Sequence, residues 1–173
     1  MKIYIKVLFV LILMLTTVCA SAQTWSTMSQ AQKNIAILSY AMTFTNGTYG
    51  GQCKVWVNNV VKGVSGKTLP ATAASPYDYK WLVSSNVIKR TIAHSGLMAA
   101  GDIVQMKLLS NGIPHTAIVI GVYQGAPGEI SFIDSNWFGY KGSDYVERVY
   151  VHTMTIPDFN KKVGTQFSVY NIK

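Results

Sequence analysis

The spacing of apolar positions along this chain changes once, and the change divides it. Over residues 23–48, Ile35, Leu38, Ala41 and Met42 recur every three or four residues. That period predicts a helix, with Ser26 or Thr27 as its cap and Asn46-Gly47 as its stop. Asn46-Gly47-Thr48 also matches a glycosylation acceptor, and is read as the helix terminator. Gly50-Gly51-Gln52-Cys53 opens a second helical pattern carried by Trp56, Val57, Val60, Val61 and Val64. Residues 63–76 read as a turn-rich loop, and residues 79–83 as a short helix followed by irregular chain. From Gly101 the period falls to two. Strands are predicted at 103–109, 115–123, 130–136, 145–156 and 167–172, with turns at 110–112 and 125–128. Residues 117–122 are apolar on both faces, which places that strand centrally in a sheet. Helices followed by antiparallel strands predict an α+β domain, with N-terminal helices packed on one antiparallel sheet. No internal repeat, long linker or low-complexity tract interrupts it.

The first residues belong to neither pattern. Lys2 and Lys6 precede an apolar run over 7–18, and Ala20-Ser21-Ala22 follows. A charged start, a short apolar centre and an A-x-A end read as a secretory signal peptide, residues 1–22, cut before Gln23. The run is too short for a comfortable membrane span. Secreted or periplasmic location follows. Residues 23–173 then form a single domain of 151 residues, long enough to bury about 70% of its unfolded surface. The composition, 49% hydrophobic and 13% charged, excludes a disordered chain. The net charge of +8 becomes +6 once Lys2 and Lys6 are removed. Its lysines are scattered, with only Lys89-Arg90 and Lys161-Lys162 paired, so nucleic-acid binding is poorly supported.

Cysteine arithmetic changes most. Of two cysteines, Cys19 leaves with the leader, and Cys53 remains without an intramolecular partner. Cys53 follows two glycines and begins a helix. Unsatisfied N–H groups and the helix dipole favour an anion there, which lowers a thiol pKa. The competing reading is a small buried residue beside Trp56. A thiolate nucleophile needs a base and an orienter. His115 leads among the three histidines, because it starts the central strand after a turn. His94 lies in an irregular stretch, and His152 inside a strand, where it reads as a half-exposed filler. Asp134 and Asn136 are two apart on the next strand, so both are expected on one face. Either can accept the imidazole N–H of His115.

Four motifs occur in order: Gly51-Gln52-Cys53-Lys54-Val55-Trp56, Gly101-Asp102-Ile103-Val104, Pro114-His115-Thr116-Ala117-Ile118-Val119 and Ile133-Asp134-Ser135-Asn136-Trp137. As a set, spanning about residues 30–155, they resemble the CHAP family, the cysteine- and histidine-dependent amidohydrolases/peptidases related to NlpC-type papain-like enzymes. The resemblance implies a papain-like fold with Cys53 as nucleophile, His115 as general base, Asp134 as third member and Asn136 as supporting group. The family usually has Glu where Asp134 stands and often Gly where Pro114 stands. Gln52 is a candidate oxyanion donor by proximity. Tyr49 and Trp137, with Phe138 and Tyr140, are candidate cleft walls.

The expected activity is cysteine-dependent hydrolysis of an amide bond, without metal or organic cofactor. Family members commonly cut peptidoglycan, either at the amide between muramic acid and L-alanine or within the stem or cross-bridge peptides. Two other readings are an exported toxin or effector with a protein substrate, controlled by an immunity or inhibitor protein, and a non-catalytic wall-binding module of the same fold.

Overall fold

The computed structural model describes residues 24–44, 46–69, 86–110, 112–136 and 147–173. The expected signal peptide, the expected helix at 79–83 and the aromatic group Trp137, Phe138 and Tyr140 lie outside them.

Helix α1 spans Gln30–Ala41. Its cap is Ser29, not Ser26 or Thr27. The Ser29 hydroxyl accepts from the Gln32 backbone, and the Gln32 side chain accepts from the Ser29 N–H, a reciprocal box that ties up two otherwise unpaired donors. Ser26 and Thr27 belong to a preceding 3-10 turn, Trp25–Thr27. The helix also ends before Asn46-Gly47, at Met42.

Helix α2 spans Cys53–Ser65 and buries Trp56, Val57, Val60 and Val61 along one stripe. It runs through Gly63, where a loop was expected. A Cβ at Gly63 would stand 2.7 Å from the Tyr40 ring, so the missing side chain lets α1 approach α2 closely. Gly66, with φ of 69°, supplies the left-handed stop.

Six antiparallel strands follow: β1 Val87–Arg90, β2 Ile103–Lys107, β3 Pro114–Tyr123, β4 Glu129–Ser135, β5 Val149–Thr155 and β6 Phe167–Ile172. Their order across the sheet is β1-β6-β2-β3-β4-β5. The chain is therefore α+β, helices on one antiparallel sheet, as the change of period predicts. A third helix, α3, spans Ile156–Val163, starting at the last residue of the predicted strand 145–156 and filling a stretch for which the sequence predicts no element. Thr155 caps it, Pro157 sits in its first turn with Asp158, and Lys161 and Lys162 close its last turn.

Alternation along the strands gives the sheet two buried faces. On one, Ile103, Ile118, Ile133, Tyr170 and Ile172 pack under Ile37 and Ala41 of α1 and Trp56, Val57, Val60 and Val61 of α2. On the other, Val104, Met106, Ala117, Val119, Ile130 and Phe132 pack under Phe159 and Val163 of α3. The start of β3 and the end of β4 meet the N-terminus of α2, and the polar residues of interest gather there.

Candidate active site

Cys53 is the first residue of α2, 7% exposed and a free thiol. The chain leading into it is held against the strands. Gly50 and Gly51 both donate their N–H to the Glu147 carbonyl, at 2.7 and 3.0 Å. The Ser135 hydroxyl donates to the Gly51 carbonyl at 2.6 Å. Gly51 has φ of 72°, a conformation that favours glycine. At Gly50 a Cβ would lie 2.5 Å from the Ser135 hydroxyl and 2.8 Å from Val149, so this contact also requires glycine.

His115 lies at the start of β3, opposite Met106 of β2, and is 1% exposed. Its Nε2 is 3.1 Å from Oδ2 of Asp134, which is fully buried on β4. With Nε2 beside the carboxylate, Nδ1 is the ring nitrogen left for Cys53, and the thiol and imidazole are hydrogen-bonded and charge-coupled. Burial pushes the Cys53 thiol up. The charge and hydrogen bond of His115, with a hydrogen bond from the Thr116 backbone, outweigh burial and hold the thiol below its ordinary value. Burial alone would likewise favour a neutral His115. The negative charges of Asp134 and Cys53 override it and raise the ring to about 10. Both shifts favour a thiolate–imidazolium pair at neutral pH.

A third side chain completes the cluster. His152 of β5 is 8% exposed, and its Nε2 is 2.5 Å from the same Asp134 Oδ2. It is a buried partner of the carboxylate rather than a half-exposed filler. His152 stands opposite Phe132 in the β4–β5 register, one strand step from Asp134 on the same face.

Asn136 does not join His115. It follows β4 with φ of 61°, so the alternation that would put it on the face of Asp134 has already ended. Its amide nitrogen donates to Gln52 Oε1 at 2.9 Å, and its Oδ1 accepts from the Glu147 N–H at 3.1 Å. Gln52 in turn donates through Nε2 to Glu147 Oε1 at 3.0 Å. The Gln52 amide beside Cys53 is thus fixed at both ends. Tyr49 is 71% exposed, and its hydroxyl bonds to Glu147, which raises the phenol pKa. Among the described residues, no group of three or more His, Cys, Asp or Glu side chains is disposed to hold a metal ion.

Sequence reasoning missed His152, Glu147 and Ser135. Only the pairing of β4 with β5 brings His152 to Asp134, and no local signal in the sequence states that register. Glu147 and Ser135 act on Gln52 and Gly51 across 95 and 84 positions of sequence.

No family model matches the sequence, and no curated protein matches it. Solved structures do resemble the chain. The crystal structure of a wild-type endolysin, LysIME-EF1, matches with a TM-score of 0.50 at 17% identity, covering 79% of this chain and 63% of that one. The crystal structure of Ly7917 matches with a TM-score of 0.52 at 12% identity, covering 83% of this chain and 62% of that one. The chain therefore spans less than two thirds of the length of either. At these identities the likeness is one of fold, helices on an antiparallel sheet.

Proposed function

We propose that the chain is a secreted cysteine hydrolase that cleaves amide bonds of peptidoglycan, with residues 1–22 as its export signal and residues 23–173 as one CHAP-like domain. The observation that carries the reading is the buried sequence of contacts Cys53–His115–Asp134, with Cys53 at the start of a helix. The fold shared with an endolysin supports the choice of substrate.

In the proposed reaction the Cys53 thiolate attacks the carbonyl carbon of the scissile amide. Negative charge passes to the carbonyl oxygen. The Cys53 backbone N–H, one of the first donors of α2 and so without a partner within the helix, faces that oxygen. Gln52 adds its second amide N–H, the first being given to Glu147. One such donor is worth about 3 kcal/mol in related chemistry. The imidazolium of His115 then transfers its proton to the leaving nitrogen, the C–N bond breaks and a thioester remains. Water attacks the thioester and gives a proton to His115. The carboxylate product leaves and the thiolate–imidazolium pair is restored. Asp134 stabilises the imidazolium and fixes its orientation throughout.

Incubating the purified protein with sacculi and analysing the soluble fragments by mass spectrometry tests the activity and identifies the bond. Cys53→Ala protein with an unchanged circular dichroism spectrum should release no fragments above background. Release equal to wild type would end the proposal.

A further inference from the structure

The carboxylate of Asp134 is one methylene shorter than the glutamate usual in the resembled family. It is nevertheless held within 3.1 Å of His115. Two histidines from different strands converge on its Oδ2: His115 from β3 and His152 from the edge strand β5. The β4–β5 register makes this convergence specific, since His152 and Asp134 share a face while Tyr150, opposite Asp134, occupies the directly paired position. All three side chains are almost completely buried, so water does not compete for the carboxylate.

We propose that His152 is a positioning residue for the Cys53–His115 pair, its Nε2–H holding Asp134 so that the short carboxylate stays aimed at His115. This inference rests on the cysteine–histidine reading above. A carboxylate can turn about its own side-chain bonds, and a donor fixed to the neighbouring strand removes that freedom. The cost of lost aim falls on His115, because less negative charge then faces the ring, and through His115 on the thiolate. The titratable groups that face Asp134 are His115 from β3, His152 and Tyr150 from β5 and Cys53 from α2. Glu147 lies beyond Gln52, bonded to it and to Tyr49.

The test uses thiol chemistry and needs no substrate. Iodoacetamide alkylation of the Cys53-containing peptide is followed by mass spectrometry against pH in the full chain, with melting temperature measured alongside. His152→Leu removes the donor. His152→Gln keeps an amide N–H near the position of imidazole Nε2, while His152→Asn keeps one that stops near Nδ1, short of the carboxylate. Leu and Asn variants should raise the alkylation midpoint by about one pH unit, a roughly tenfold loss of reactivity on its acid side. The Gln variant should restore most of the difference. Equal midpoints for wild type, Gln and Asn proteins overturn the role of His152, and the Gln–Asn contrast stands even if the Leu variant does not fold. His115→Ala separates the two levels. If it raises the midpoint while the His152 variants do not, only the positioning role fails. If it leaves the midpoint unchanged, the cysteine–histidine pair fails and the role of His152 fails with it.

Discussion

Two aspartates among the described residues have no exposed surface, and their surroundings differ in kind. Asp102, at the turn into β2, is held by donors that stay as they are across the working pH range. Asn34 from α1 and Asn171 from β6 donate to Oδ1 at 3.2 and 2.7 Å, the Ala99 N–H donates to Oδ2 at 2.7 Å, and Arg90 of β1 forms an ion pair with it. Asp134 is instead held by two imidazoles, whose hydrogen-bonding roles depend on which ring nitrogens carry a proton. The same side chain, buried to the same degree, therefore does two jobs. At Asp102 the charge ties a helix, a turn and two strands together. At Asp134 the charge is passed on, first to His115 and then to Cys53.

The comparison predicts opposite effects for the two residues. The largest is at Asp134. Asp134→Asn leaves the shape of the side chain and removes its charge, and should cut hydrolysis by about 10⁴-fold, the scale seen when such an orienting carboxylate is neutralised in a triad. A variant that melts early but keeps full activity would make Asp134 a second Asp102.

Next in size is Asp102→Ala, which strands Arg90, Asn34 and Asn171 around a cavity. The expected loss is about 3–5 kcal/mol in urea unfolding. In whatever fraction stays folded, the pH profile of Cys53 alkylation should match wild type. A shifted profile would mean that Asp102 also feeds the site.

The third contrast is in pH dependence. His115 is raised to about 10, so its proton is present below that pH and lost above it. Hydrolysis needs that proton for the leaving nitrogen, so activity should fall as pH rises through about 10. Asp134→Asn should move this alkaline limb down, because the carboxylate charge is the foremost influence raising the ring against burial. Asn171→Ala should leave the limb in place and cost only about 1–3 kcal/mol of stability, the loss expected when a buried acceptor is left short of a donor.

What the sequence discloses follows the range of the forces involved. Helix α2 and strand β3 are legible because their periods are local, and Cys53 stands out because it begins a helix after two glycines. Strand β1 was not visible, since only Val87 of its four residues is buried, Ile88 and Lys89 are exposed, and Arg90 is held inward by the charge of Asp102. Helix α3 was not predicted: the expected strand 145–156 overlaps only its first residue, and the rest of it carried no assignment. Its eight residues are too few to show a period, although Thr155, Pro157 and the Lys161-Lys162 pair carried end signals. Within the site, alternation offered Asp134 as a partner for His115, and the family resemblance made it the third member. Alternation also pointed to Asn136, and failed there because the strand ends one residue earlier, in a left-handed turn. His152 reaches the carboxylate only through the β4–β5 register, which is a property of two strands and of neither alone.

Gly50 sets a dimension. Between it and the strand ends there is no room for a methyl group, on the Ser135 side or the Val149 side. The separation between the sheet, which carries both histidines and the carboxylate, and the helix, which carries the sulfur, is fixed by contact at that point three residues before Cys53. The smallest residue in the chain thus works as a gauge block. Any thickening at this joint lifts the sulfur away from the ring it must meet.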